Sequence, residues 1–196
     1  MSKFIMQNVK VDYPHFITPY KLDGMDEAKF GCVVLIPKED EQVGRLNTLL
    51  RRIAQEAMGD KWGNVKPPAD RMNPLKDGDK PKGNGEPYPE AYKGHFVLNC
   101  SSIKAPGVID EFKNRTSDES KFRRGCVCHL AIEFFAYNRN GNKGISSRLA
   151  NVMFVNCGES LGGDLTPEEE FASIPAAPPP RKGPAYDFGL EDDLPF

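Results

Sequence analysis

Residues 60–94 combine positive charge with flat aromatic rings. Lysine and arginine side chains are interleaved there with Trp62, Tyr88 and Tyr92. Cations neutralise phosphates and ring faces stack on bases, so this mixture suits a single strand of nucleic acid, whose bases are unpaired. The alternative is a flexible insertion whose aromatic residues cover the core, as Trp62 would do beside a predicted helix. The candidate contacts of this stretch are Lys76, Lys80, Lys82, Tyr88, Tyr92 and Lys93.

A second group of candidate contacts flanks the longest apolar segment, residues 125–137. Residues 114–124 are polar and rich in basic side chains, and the turn after residue 137 has a basic tip. These side chains offer the same chemistry of phosphate neutralisation and base stacking. For each of them the alternative is an ordinary surface position. The candidates are Arg123, Arg124, Tyr137, Arg139 and Lys143.

The last ten residues, 187–196, place four carboxylate side chains among Phe and Leu residues, with no basic residue. Their apolar groups are too few to repay the entropy of ordering the segment alone, but an aromatic residue beside carboxylates suits a basic-rimmed hydrophobic pocket on another protein. A plain solubilising tail is the alternative, and it does not account for the apolar end. We interpret the segment as a protein-recruiting tail formed by Asp187, Glu191, Asp192, Asp193, Leu194, Pro195 and Phe196.

The formal net charge of −2 is unevenly distributed. Residues 164–196 contain eight acidic and two basic residues, a net of −6, whereas residues 1–163 contain 24 basic and 20 acidic residues, a net of +4. A basic body with an acidic tail is the polarity expected when the tail competes with a polyanion for one site. Five prolines between positions 174 and 184 indicate a semi-extended spacer. We therefore predict a folded domain at 1–163, a flexible Pro-rich linker at 164–186 and the tail at 187–196.

Disulfide, metal and catalytic chemistry have little support in the sequence. Five cysteines, an odd number scattered through apolar segments, predict buried free thiols in a reducing compartment. Cys126 and Cys128 with His129 provide half of a zinc site, but no second ligand pair occurs at short spacing, so we expect neither a metal nor another cofactor. His15 and His95 lie in unrelated segments and the densest acidic cluster is in the tail, which leaves a nuclease without a catalytic constellation.

The hydropathy pattern contains no candidate membrane segment. Charged residues make up 28% and hydrophobic residues 39% of the sequence. No apolar run approaches the roughly 18 residues that span a bilayer. The first residues lack the apolar stretch and the cleavage site of a signal peptide. We therefore expect a cytoplasmic protein with no membrane partner.

The first two predicted elements are strands. Alternation over residues 9–13 predicts a strand that has Val9, Val11 and Tyr13 on one face and ends at Pro14. The apolar run 29–36 predicts a buried strand that pairs with the first one in antiparallel orientation.

One helix and three further strands follow. Apolar residues recur at helical spacing over 37–59, a segment opened by proline and closed by glycine. Another strand is predicted at 95–100, and an Asn/Gly turn at 138–144 joins the run 125–137 to a return strand at 145–157 as a β-hairpin. Alternation along 125–137 places one set of residues in the core: Cys126, Cys128, Leu130, Ile132, Phe134 and Ala136.

These elements predict an all-β protein with one added helix. About five substantial strands, with turns rich in Gly, Pro and Asn, fit a small closed barrel better than a sandwich. The nearest standard architecture is the five-stranded oligonucleotide-binding (OB) barrel, here with long loops and a disordered C-terminal tail.

Several motifs resemble a family of phage single-stranded DNA-binding proteins. Within 125–163, as in that family, a strand ending in aromatic-Ala-Tyr leads through an Asn/Gly turn and Gly-Ile-Ser into a Leu-x-Asn-Val return strand and a Gly-Glu-x-Leu-Gly-Gly close. Residues 73–79, 92–94 and 105–110 also resemble that family. The ending Asp-Asp-Leu-Pro-Phe is similar to the C-terminal tip of single-stranded DNA-binding proteins of bacteria and phages.

The resemblance implies an OB barrel that coats and protects single strands, independently of sequence, during phage DNA replication, recombination and repair. The implied partners are single-stranded DNA and, through the tail, a polymerase, helicase-primase or recombinase. A homodimer is a further possible assembly. The alternative is a replisome scaffold that acts only through its tail and never touches DNA. An oligonucleotide binding assay separates the two, because the scaffold binds none with or without its tail.

Overall fold

The computed structural model describes residues 2–159, 161 and 173–174. The chain divides into two compact units, Met1–Gly162 and Gly163–Phe196. The elements described below belong to the first unit. The predicted linker, apart from residues 173–174, and the whole predicted tail lie outside the described residues.

Seven strands of the first unit form a single sheet, in the order β3-β4-β2-β1-β6-β7-β5. Neighbouring strands are antiparallel, except that β5 runs parallel to β7. The prediction of a mostly β protein with about five substantial strands is confirmed. Five of the seven strands are long, and the other two, β3 and β5, have only two and three residues. The strands are β1 (Ser2–Tyr20), β2 (Lys29–Pro37), β3 (Lys76–Asp77), β4 (His95–Ser102), β5 (Gly107–Ile109), β6 (Val127–Arg139) and β7 (Asn142–Asn156).

The one main helix, α1, spans Glu41–Gly59 and ends where the sequence predicts. It begins after Pro37 because Asp40 caps it, with a carboxylate oxygen that accepts a hydrogen bond from the Gln42 amide at 2.8 Å. The buried apolar stripe of α1 packs on the sheet. A four-residue helix, α2 (Ala69–Met72), and 3₁₀ turns at Glu90–Tyr92 and Glu119–Lys121 lie in the loops. The buried residues of α1 are Val43, Leu46, Leu50, Ile53 and Ala57.

The core prediction for β6 is confirmed. Every second residue from Cys126 to Ala136 is buried, and its alternate neighbours are half-buried. The hairpin after β6 is confirmed too, with Asn140 and Gly141 at φ values of 50° and 81° in the tight turn. Trp62 is fully buried, and its indole N–H donates to the carbonyl of Tyr137 at 3.1 Å. That tryptophan therefore covers the core.

Strand β1 differs from its prediction, because it continues through Pro14 to Tyr20. The β6 ladder on β1 ends at Lys10, so Pro14 faces only β2 and its missing N–H is tolerated. The pairing with β2 is irregular between Asp12 and His15. This bulge reverses the alternation, so Asp12 is fully buried while Tyr13, predicted to share a face with Val9 and Val11, is 49% exposed.

The sheet is open, whereas the sequence predicts a closed barrel. It curls until β4 and β7 approach each other, and the Ser147 hydroxyl donates to the carbonyl of Asn99 at 2.7 Å. Within the described residues no backbone ladder joins these two strands. Their facing edges are occupied in part by the short strands β3 and β5, which leaves a partly open barrel of the kind found in OB folds. No helix in the described part of the chain is long and apolar enough to cross a membrane.

Candidate nucleic-acid interface

A groove runs along the outer face of β1, β2 and β4. Two adjoining cavities of about 450 and 290 Å³ form it. They share Tyr13, Val33 and Asn99, one residue from each of the three strands. The long loop between α1 and β4 provides one wall, and the last part of β1 provides the other.

The loop wall is packed onto the sheet. Tyr92 is buried against Leu35 and Val97, with Tyr88 at the edge of this small cluster. The two tyrosine rings are stacked, with centroids 5.7 Å apart and planes inclined by 24°. The Lys82 ammonium lies 5.7 Å from the centre of the Tyr88 ring. This wall thus presents a half-buried ring with a cation beside it.

The opposite wall consists of aromatic residues that are not among the predicted contacts. Tyr13 projects from the bulge of β1, and His15 and Tyr20 form a ring pair with centroids 4.7 Å apart. The sequence contains a signal for them, since aromatic residues crowd positions 13–20 directly after a predicted strand. Alternation does not reveal this signal, because it assigns Tyr13 to the face of Val9 and Val11. The residues that follow Tyr13 are predicted to lie in a loop.

A charged network lies beneath the groove, centred on the buried Asp12. Arg124 donates to both carboxylate oxygens, from Nε at 2.6 Å and from Nη2 at 3.1 Å. The Tyr92 hydroxyl donates at 2.8 Å, and the Tyr13 amide at 2.9 Å. The guanidinium carbon of Arg124 also lies 4.5 Å from the centre of the Tyr13 ring. One carboxylate therefore connects both walls of the groove.

The charge states of this network follow from its hydrogen bonds. Burial by itself would raise the pKa of Asp12, but the hydrogen bonds from Arg124, Tyr92 and the Tyr13 amide outweigh burial and hold that pKa below its ordinary value. Burial and the bond to Asp12 raise the pKa of the Tyr92 hydroxyl. The same carboxylate raises the pKa of Arg124. Near neutral pH, Asp12 and Arg124 are a neutralised ion pair and Tyr92 is an uncharged donor.

The six predicted contacts of the long loop are divided between the groove and its surroundings. Lys82, Tyr88 and Tyr92 all belong to the loop wall and line the groove. Lys82 has Glu86 at 3.6 Å, so part of its charge is balanced. The groove therefore receives three of the six candidates.

The other three candidates of the loop, all lysines, lie outside the groove lining. Lys80 and Lys93 are exposed and pair with Asp77 at 3.9 Å and Glu90 at 2.7 Å. Lys76 donates to the backbone carbonyls of Asp70, in α2, and Asn73, just after it. Its ammonium is thus held by neutral acceptors on the α2 side of the loop.

The five candidates flanking β6 do not form one group. Arg123 and Arg124 precede β6 and lie at the opposite end of that strand from the hairpin tip. Tyr137, Arg139 and Lys143 lie at the hairpin end, and none of these three lines either cavity of the groove.

Direct contacts hold the hairpin end against the end of α1. The Lys143 ammonium donates to the carbonyl of Trp62, and the Asn138 amide donates to the carbonyl of Lys61 at 2.8 Å. Arg139 is exposed beside them. This end is therefore a second basic surface, separate from the groove.

Four cysteines lie in the core as free thiols, and the fifth, Cys157, is exposed. The sulfur atoms of Cys32 and Cys100 are 3.4 Å apart, across paired positions of β2 and β4. Burial raises the pKa of Cys32 well above its usual value, so this thiol stays protonated. In the described residues, no three or more His, Cys, Asp or Glu side chains are grouped to hold a metal ion.

Known proteins with a similar fold include two phage proteins. The single-stranded DNA-binding protein from bacteriophage Enc34, in complex with ssDNA, matches with a TM-score of 0.68 at 21% identity, covering 82% of this chain and 89% of that one. The T7 protein gp2.5, a single-stranded DNA-binding protein, matches with a TM-score of 0.55 at 15% identity, covering 89% and 95%. At these identities the similarity shows the fold.

Sequence comparison identifies the family. Protein p50 of Acyrthosiphon pisum secondary endosymbiont phage 1 is 29% identical over 185 residues, which cover 89% of this chain and 95% of that protein. The family model described as Enterobacter phage Enc34, ssDNA-binding protein, matches residues 2–178. Because this match spans most of the sequence, the chain belongs to the Enterobacter phage Enc34 ssDNA-binding protein family.

Proposed function

We propose that this protein binds single-stranded DNA, independently of sequence, in the groove on β1, β2 and β4. The observation that carries the proposal is the convergence of Tyr13, Tyr88 and Lys82 on one groove. Aromatic rings next to a cation match unpaired bases next to a phosphate. Family membership supports the same ligand.

The groove would select single strands through stacking. Each base stacked on an aromatic side chain contributes about 1 to 3 kcal/mol, and bases within a duplex offer no free face. Lys82 contributes charge inside the groove, while Lys76, Lys80, Lys93 and Arg123 would meet phosphates around it. Tyr137, Arg139 and Lys143 would bind only a strand long enough to reach the hairpin end.

We further propose that the protein coats and protects single strands during phage DNA replication and recombination, and that its tail recruits the enzymes involved. The support is the sequence of residues 187–196, where four carboxylates precede the ending Leu194-Pro195-Phe196. Such a peptide suits a basic-rimmed apolar pocket on a polymerase, helicase-primase or recombinase. With a net charge of −6 in residues 164–196, the linker and tail together would also compete with DNA for the groove.

The test is oligonucleotide affinity, measured for a single strand and for its duplex across a salt series. The full chain and a chain that ends at Gly163 are compared. We expect preference for the single strand, a salt slope of about −0.7 per phosphate contacted, and tighter binding by the shorter chain. Absence of binding by both chains would contradict DNA binding and favour a scaffold that acts through its tail.

A further inference from the structure

We propose that Asp12 is a positioning residue that holds both aromatic walls of the groove in place for base stacking. The proposal rests on the function proposed above, because it assigns a means of base recognition to the same groove. Asp12 does not line the groove, and its side chain is fully buried. Its effect on DNA must therefore pass through the residues that it binds.

The first of these residues is Tyr13. Its backbone has a φ of 48°, in the left-handed region that bulky residues rarely adopt. A carboxylate oxygen of Asp12 accepts the Tyr13 amide at 2.9 Å and thereby fixes this conformation. The conformation turns the Tyr13 ring out of the core and into the groove.

The second residue is Tyr92, on the opposite wall. Its hydroxyl donates to the other oxygen of Asp12 at 2.8 Å, and its ring supports Tyr88 from below. Because Tyr92 belongs to the long loop, this bond joins the loop to β1 across the floor of the groove. The Asp12 carboxylate thus helps to set the spacing between the Tyr13 and Tyr88 rings.

Arg124 completes the arrangement without offering a net charge to DNA. Its guanidinium is paired with Asp12 through two hydrogen bonds and lies over the Tyr13 ring at 4.5 Å. This guanidinium stabilises the Tyr13 ring, and because Asp12 neutralises it, it contributes little net charge to a contact with a phosphate. Loss of Asp12 should therefore weaken contacts with bases and leave contacts with phosphates largely intact.

The experiment measures the affinity of the full chain and its Asp12→Asn variant for two probes. One probe is an oligothymidylate, and the other is an oligomer of the same length whose nucleotides are all abasic. We expect Asp12→Asn to weaken oligothymidylate binding about tenfold, the loss of roughly one stacking contact. We expect abasic binding to stay the same or tighten, since no phosphate contact is lost and Arg124 is no longer paired with a carboxylate.

The matched control is Glu133→Gln. It also removes one negative charge and one carboxylate–arginine pair, since Glu133 accepts from Arg148 Nε at 3.0 Å between β6 and β7. Glu133 does not line the groove. The Glu133→Gln variant should therefore keep the wild-type ratio of oligothymidylate affinity to abasic affinity. Tyr92→Phe removes only the hydroxyl bond to Asp12, and it should lower the ratio even if Asp12→Asn does not fold.

The outcomes separate this proposal from the proposed function. An unchanged affinity ratio in Tyr92→Phe, or a fall in Glu133→Gln as large as in Asp12→Asn, would overturn the positioning role. If the wild-type protein binds both probes equally, base stacking is absent and the positioning role fails, while single-strand binding stands. If it binds neither probe, the proposed function fails as well.

Discussion

At the scale of single residues, pairing decides which charges are available to a ligand. Arg124 and Arg123 are neighbours in sequence, yet Arg124 is bound to the buried Asp12 whereas Arg123 is exposed. Lys80, Lys82 and Lys93 are balanced in part by nearby carboxylates. The number of basic residues around the groove therefore overstates the charge that a strand would meet.

The arginine pair allows a direct test of this difference. Arg123→Met should reduce the magnitude of the salt slope of single-strand binding by about 0.7, the contribution of one phosphate contact. Arg124→Met should lower the affinity at every salt concentration with the slope unchanged, because its charge is already neutralised. Binding titrations across a salt series measure both effects. A larger change of slope in Arg124→Met than in Arg123→Met would contradict this assignment.

The stability contribution of Asp12 should depend on pH. Asp12→Asn should lower the free energy of unfolding by about 2 to 4 kcal/mol near neutral pH, because it leaves Arg124 without its anion. The folded pKa lies below the unfolded value of about 3.9, so this stabilisation is complete above that value and is lost as pH falls through the folded pKa. Urea unfolding of both proteins between pH 7 and pH 3 measures it. A difference that grows in acid would contradict the assignment.

At the scale of elements, the groove depends on the close approach of β2 and β4. A Cβ at Gly31 would lie 2.5 Å from the carbonyl oxygen of Cys100 and 3.0 Å from the Cβ of Ser101. On its other side, Gly31 is the cross-strand partner of His15 in β1. This glycine therefore sets the separation of the strands that form the groove floor.

We expect Gly31→Ala to cost about 1 to 3 kcal/mol of stability, because the strands must separate, and to weaken single-strand binding. Gly44→Ala is the matched control. Gly44 is exposed in α1 with no atom within 4 Å of an added Cβ in the described residues, so alanine there should stabilise by up to about 1 kcal/mol. Thermal unfolding and DNA titration of the two variants measure the contrast. Equal stability changes would contradict the close packing at Gly31.

At the scale of the whole molecule, residues 1–163 carry a net charge of +4, whereas residues 164–196, the predicted linker and tail together, carry −6. The proposed competition with DNA would need only charge, whereas the proposed recruitment of an enzyme would need the aromatic end as well. Substitutions in the last ten residues can therefore test the two proposals separately.

Phe196→Ala should abolish binding of a replication enzyme while DNA affinity stays within about twofold of wild type, because every carboxylate remains. Replacing Asp192 and Asp193 by asparagine should instead strengthen DNA binding at low salt, and this gain should shrink as the salt concentration rises, because salt also weakens the tail's competition. Surface plasmon resonance with whichever of the polymerase, helicase-primase or recombinase binds the full chain, and oligonucleotide titrations, measure the two effects. Full enzyme binding by Phe196→Ala would contradict a role for the aromatic end.

The sequence by itself determined the elements with a clear period. The alternation of β6, the stripe of α1 and the Asn/Gly turn all follow from local spacing, and the structure confirms them. The motifs of residues 73–79, 92–94, 105–110 and 125–163, together with the ending Asp-Asp-Leu-Pro-Phe, indicate the family, and the family comparison confirms it. Local patterns succeed here because side-chain direction in a regular strand or helix depends only on position along the chain.

Only the tertiary structure decided how the candidate site is divided. The bulge at Tyr13 breaks the strand period, so a residue expected to share the face of Val9 and Val11 becomes a wall of the groove. Asp12 and Arg124 are 112 positions apart in the sequence, and no local pattern indicates that they pair. Strand direction separates Arg123 from the hairpin tip. Bulges, long-range pairs and strand direction arise from contacts between distant segments, which no window of sequence contains.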